Sequence, residues 1–149
     1  MYVREDIPCQ RLTALEATDV ESVWLLYRLA RMPRSLSLGA VYHPPTAANK
    51  VTIAHILNCL DTVTHDHPHA GVILLGDFNR LHDAALLAYP LKQVVRLPTR
   101  KEAILDKIYT NLQDWYRQPA VIPDIGNSGH RAVLMSADYS NIWIVAKTL

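Results

Sequence analysis

At 149 residues, half of them hydrophobic and 19% charged, the chain is long enough to bury one real core and too apolar to be disordered. Its 15 basic and 14 acidic residues leave a formal charge of +1, which gives no bulk electrostatic case for nucleic-acid binding but permits a local basic patch. No apolar run reaches bilayer length, and Arg4, Glu5 and Asp6 fall where the apolar core of a signal peptide would lie. Cys9 and Cys59 have no partners at zinc spacing and are expected as free thiols in a reducing compartment. No internal repeat, linker or low-complexity run divides residues 1–149, so one domain is expected.

Tyr2-Val3 reads as the tail of a strand closed by Glu5-Asp6-Ile7-Pro8, so the chain is expected to open inside a strand. Glu21 to Leu29, dense in Val, Trp, Leu and Tyr, predicts a strand broken at Arg31-Met32-Pro33-Arg34. In Ser35 to Tyr42, Leu36, Leu38, Ala40 and Tyr42 alternate, which predicts a second strand stopped by His43-Pro44-Pro45. Thr46 is placed to cap a helix whose apolar residues (Val51, Ile53, Ile56, Leu57, Leu60, Val63) recur at helical spacing to about Thr64. His65, Asp66, His67 and His69 then form a polar loop, the single candidate for a second metal cluster and more simply a solvated connection.

Gly71 to Gly76 reads as a short buried strand, followed at once by Asp77 and Asn79. If the segment stays extended, these two side chains point the same way into one site at the strand's carboxyl end. Asp and Asn are also common turn residues, and a plain turn is the competing reading. Leu81 to Leu91 predicts a short helix stopped near Pro90, with brief strands at Val94-Val95, Ile104 to Thr110 and Ala120 to Ile122. A loop from Pro123 to Gly129 leads to Ala132 to Met135, expected as the last central strand. Strands alternating with at least two helices predict a layered α/β or α+β domain. Three further polar residues sit where strands meet loops: Tyr42, Asp106 and His130.

Five phrases, in order, resemble the endonuclease/exonuclease/phosphatase superfamily, and within it the endonuclease domain of non-LTR, LINE-type retrotransposons. They are Tyr2-Val3-Arg4-Glu5-Asp6-Ile7-Pro8-Cys9, Ala40-Val41-Tyr42-His43-Pro44-Pro45, Leu74-Leu75-Gly76-Asp77-Phe78-Asn79-Arg80-Leu81, Pro98-Thr99-Arg100 with Ile104-Leu105-Asp106-Lys107-Ile108-Tyr109-Thr110-Asn111-Leu112, and Gly126-Asn127-Ser128-Gly129-His130. The likeness runs to about Ser136. It implies a DNase I-like α+β fold, a two-sheet β-sandwich flanked by helices in four layers (α/β/β/α), incomplete at its N-terminus. It implies metal-dependent hydrolysis of DNA phosphodiesters, with magnesium as cofactor, DNA as partner, a reverse transcriptase domain in the full-length polyprotein, and a nuclear site of action.

The same resemblance implies the roles. Asp77 would serve in acid–base chemistry on the attacking water, Asn79 would bond the phosphate or position that water, and Tyr42 would contact the phosphate. His130 would stabilise charge on a phosphate oxygen, with Asp106 fixing its tautomer. Two departures predict weak or absent activity. The family's metal-binding Asn and Glu lie upstream of its counterpart to Tyr2-Val3, and Gly129 stands where the family has an Asp. The alternatives are a non-catalytic interaction module and another phosphoesterase of the superfamily, its site completed by a partner chain or other ligands.

Overall fold

The computed structural model describes residues 3–28, 34–126 and 129–138. Among the described residues eight strands form, in chain order: β1 (Cys9–Arg11), β2 (Glu21–Tyr27), β3 (Leu36–Tyr42), β4 (Gly71–Asp77), β5 (Lys92–Gln93), β6 (Asp106–Thr110), β7 (Ala120–Asp124) and β8 (Arg131–Leu134). An α-helix, α1 (Asn49–Asp66), lies between β3 and β4. The large sheet has the order β1-β2-β3-β4-β6-β5, and β7 pairs with β8 in a second, two-stranded sheet.

The β3–β4 pair is parallel and its neighbours are antiparallel. Parallel strands need a long crossover, which α1 supplies. Residues 52, 56, 59, 60 and 63 of the helix are buried, one stripe at helical spacing. Ile56, Cys59, Leu60 and Val63 pack with Trp24, Val41, Val72, Leu74, Phe78 and Tyr109. Alternate residues of the same strands, Leu36, Ile73 and Ile108, point the other way and meet Val121 and Val133 of the small sheet. The layers are therefore helix, six-stranded sheet and small sheet, an α+β arrangement of two sheets.

Several expected boundaries move. The helix N-cap is Ala48, without a side-chain cap, so Thr46 does not cap it. Thr46 lies instead in a turn closed by Ala47 N–H donating to the Pro44 carbonyl at 2.9 Å. The predicted helix over Leu81 to Leu91 is a 3-10 turn, Ala84–Ala88. Asp83, its natural cap, accepts hydrogen bonds from Lys107 Nζ (2.5 Å) and the Tyr109 hydroxyl (2.7 Å) instead. The strand expected at Val94-Val95 is displaced to Lys92–Gln93, although Val94 N–H still donates to the Ile108 carbonyl at 2.9 Å. Ala132 to Met135 is not a central strand: β8 pairs with β7 alone among the described residues, with a register shift between Ile122 and Asp124 at Pro123, which has no N–H to donate. Val3 is not in a strand, and β1 follows the Glu5-Asp6 turn. The expectations for Tyr2, Leu29, the break at 31–33, Asn127, Ser128 and the last residues lie outside the described residues.

The site end of the sheet depends on Gly76. Its φ is +147°, and a Cβ there would lie 1.8 Å from the carbonyl oxygen of Val41 on β3. Gly76→Ala should therefore destabilise the chain by at least about 3 kcal/mol in urea unfolding, since backbone strain and a backbone clash act together. A loss below about 1 kcal/mol would mean that β3 and β4 are not this close.

Candidate functional site

The strand register sets the site. Tyr42 closes β3 opposite Asp77, and Asp77 closes β4 opposite Asp106, the first residue of β6. Residues paired across strands point to one face, with neighbouring strands about 4.8 Å apart. Glu21 of β2, paired with Tyr42, begins the same row, a carboxylate that no motif in the sequence marks.

The turn after β4 is fixed by hydrogen bonds to both neighbours. His43 N–H donates to the Asp77 carbonyl at 2.9 Å, and Phe78 N–H donates to Leu105 O at 2.8 Å. Phe78 is fully buried and anchors the turn from below. Asn79 is not extended: its φ is +44°, a left-handed conformation that Asn tolerates better than most residues. The predicted i, i+2 alignment with Asp77 is thus replaced by a turn in which Asn79 N–H donates to Asp77 Oδ1 at 3.0 Å. The Asn79 amide donates to the His43 carbonyl at 2.9 Å, tying this turn to the end of β3.

His130 precedes β8 and reaches across to the large sheet. Its Nδ1 lies 3.0 Å from Asp106 Oδ2, with both side chains largely shielded from solvent. Its Nε2 lies 3.2 Å from Arg100 Nη1. A guanidinium only donates, so in this geometry Nε2 accepts, and the Nδ1–H donates to Asp106. Asp77, Asp106 and His130 each offer a ligand atom, all within 4.8 Å of one another, so they form a possible metal-binding triad. No other group of three or more such residues is brought together among the described residues, so His65, Asp66, His67 and His69 make no second cluster. Tyr42 is exposed at the rim of the row.

Burial pushes the Asp77 carboxyl above its usual range; the Asn79 N–H opposes this, the Asp106 charge adds to it, and His130 opposes it. Two carboxylates side by side, one partly buried, are a natural place for a cation. Gly129 is exposed with φ +70°, and a Cβ there would meet nothing within 4 Å. An Asp has room at that position, at a conformational cost of about 1–2 kcal/mol.

Thr99 lies within one of the five phrases, where nothing in the sequence gives it a role. It is fully buried. Its Oγ1 accepts from the N–H groups of both Leu105 and Asp106 at 3.0 Å. Its carbonyl accepts from Arg131 N–H at 2.7 Å. One residue thereby fixes the start of β6 and the start of β8, which carry the two halves of the Asp106–His130 pair. A Thr just before a tight turn and a strand was the available signal.

Three outcomes follow from this geometry. Thr99→Val keeps the shape but leaves two backbone donors without their acceptor, and should cost about 2 kcal/mol in urea unfolding. Asp106→Asn removes a neighbouring negative charge and should lower the Asp77 pKa in a carboxyl NMR titration, whereas His130→Gln should raise it. An unmoved Asp77 in both variants would show that the three groups are not coupled. The folded pKa of Asp77 lies above its unfolded value of about 3.9. The native state therefore binds more protons there, and Asp77's contribution to stability is lost as pH rises through the folded pKa. Asp77→Asn should flatten that part of the stability profile.

No family model matches the chain, and no curated protein matches it in sequence. Solved structures do. The endonuclease domain of TRAS1, a telomere-specific non-LTR retrotransposon, superposes with a TM-score of 0.67 at 16% identity, covering 90% of this chain and 70% of that domain. A functionally unknown conserved protein from Enterococcus faecalis V583 superposes with a TM-score of 0.59 at 14% identity, covering 90% of this chain and 66% of that one. At such identities the likeness is one of fold. The two-sheet α+β fold expected from the motifs is the fold observed, and the chain shares it with the TRAS1 endonuclease domain.

Proposed function

We propose that the chain is a phosphodiesterase domain of the endonuclease/exonuclease/phosphatase superfamily, of the non-LTR retrotransposon kind, acting on DNA with low efficiency. The observation that carries this reading is the triad of Asp77, Asp106 and His130 within 4.8 Å, on a fold shared with a retrotransposon endonuclease domain. The roles follow from chemistry. Asp77, with its raised pKa, takes a proton from the attacking water at its Oδ2, while Oδ1 is occupied by the Asn79 N–H. Asp106 holds the His130 ring through Nδ1, and in the protonated ring the Nε2–H donates to a phosphate oxygen. Tyr42 and Asn79 flank Asp77 and orient the phosphate. In the parent polyprotein a reverse transcriptase domain would accompany this one, with action in the nucleus. Among the described residues no helix is long and apolar enough to cross a membrane.

The donor set fits a divalent cation. Asp77 and Asp106 supply oxygens that suit magnesium, and His130 adds a nitrogen that suits manganese or zinc better. Such an ion, when bound, neutralises charge on the phosphate and the leaving oxygen. Asp106 is shared with His130, and position 129 offers no carboxylate, so metal binding should be weak and turnover slow.

With magnesium or manganese, we expect slow nicking of supercoiled plasmid by the purified chain. Asp77→Asn should reduce that rate at least about a hundredfold, the usual scale for one catalytic polar group. Equal rates for the two proteins would remove the chain from the catalytic reading and favour a binding module. Fast nicking by the unaltered chain would show instead that Gly129 and the shared Asp106 are no handicap.

A further inference from the structure

Beside Asp77 and Asn79 the surface opens into a cleft of about 490 Å³, lined by Pro45, Asn79, Arg80, Arg100, Lys101 and their apolar neighbours. Three of these residues are cations, all exposed, in a chain whose formal charge is only +1. Lys107 and Arg11, by contrast, are committed to carboxylates, to Asp83 at 2.5 Å and to Glu16 at 2.8 Å. Arg80 and Lys101 form no ion pair among the described residues.

Two features mark the turn that carries Arg100 and Lys101. Arg100 and Ala103 exchange backbone hydrogen bonds of 2.9 and 3.1 Å, which makes the turn tight. Lys101 sits in it at φ +50°, where a glycine or asparagine would be at ease. Such strain is retained where a side chain has work to do at that place. Arg100, for its part, donates to His130 Nε2, the ring nitrogen that Asp106 does not hold. A neutral imidazole is a weak partner for a guanidinium, and a phosphate oxygen is a far stronger one.

We propose that Arg80, Arg100 and Lys101 form a phosphate rim that holds the backbone of a nucleic-acid strand on either side of the reacting phosphate, and that Arg100 leaves His130 for a phosphate oxygen when the strand binds. The proposal rests on the phosphodiesterase reading and names its substrate contacts. Three cations lining one open cleft suit successive phosphates of a strand. The move of Arg100 uncovers His130 Nε2 only when substrate is present. Arg100 is a positioning residue in this scheme, acting through His130 as well as on the strand.

The test measures binding without chemistry. Fluorescence anisotropy with a labelled DNA duplex, in EDTA and across a salt series, gives the slope of log affinity against log salt. Every phosphate that a variant no longer neutralises makes that slope shallower by about 0.9. Arg80→Ala combined with Lys101→Ala should make it shallower by nearly 2, as a rough figure, and weaken binding at least about tenfold for any base sequence. Arg28→Ala, beyond the far end of β2, should leave it unchanged. In the unaltered chain the His130 Nε2 resonance, followed by long-range nitrogen NMR, should move when the duplex is added, and Arg100→Ala should reproduce part of that shift without DNA. An unchanged slope in the double variant overturns the rim, as does absence of binding by the unaltered chain. A nicking assay unaffected by Asp77→Asn would sink the phosphodiesterase reading while these binding results stood.

Discussion

The parallel pairing of β3 with β4 is the constraint on which the rest of the molecule depends. It puts Tyr42 opposite Asp77, and the antiparallel β6 then puts Asp106 beside them. A slip of one residue in either pair would send one carboxylate to the helix side of the sheet. The slip is blocked from both faces. Val72 and Leu74 are packed under α1, while Ile73 points toward the small sheet. Close approach at Gly76, where only a hydrogen fits against Val41, locks the last step before Asp77. The polar row is thus a by-product of how the apolar residues beneath it alternate.

Much of this was legible in the residues. The alternation in Leu36 to Tyr42 and the apolar run from Val72 to Leu75 located the central strands, because burial on a sheet leaves a period of two. The five expected site residues all fall on strand ends or turns at the end where Asp77 lies. What was hidden has a common cause: it depends on backbone groups, which carry no sequence label. Strand β1 is Cys-Gln-Arg, three exposed residues with no apolar signal, held by pairing to β2. The left-handed turn at Asn79 and the acceptor role of Thr99 likewise depend on where particular N–H groups end up. The pairing of Asp106 with His130, 24 residues later, came from motif likeness and has no local signature at all.

The electrostatics of the site form a sequence of partial compensations. Asp77 and Asp106 repel, and burial raises the cost of ionising Asp77. His130 offsets part of that charge and is itself engaged by Arg100. No single pair is fully matched. An arrangement of this kind changes its internal bonds readily when a cation or a phosphate arrives, because each newcomer completes a partnership that the protein leaves half made. A closed set of strong ion pairs would be steadier and chemically inert.

The two halves of the hydrogen-bonded acid–imidazole pair belong to different sheets. Asp106 starts β6, next to the edge of the six-stranded sheet, whereas His130 leads into a ribbon of two. A two-stranded ribbon has little stability of its own, and this one is attached through Val121, Val133 and the Arg131-to-Thr99 hydrogen bond. Local openings span a range of free energies up to that of global unfolding, and a ribbon attached in this way is expected below the top of that range. Whenever the ribbon lifts, His130 departs while Asp77 and Asp106 stay together. The lifetime of the assembled site would then follow the breathing of β7 and β8, and two chains of equal overall stability could differ in how much of the time the site exists.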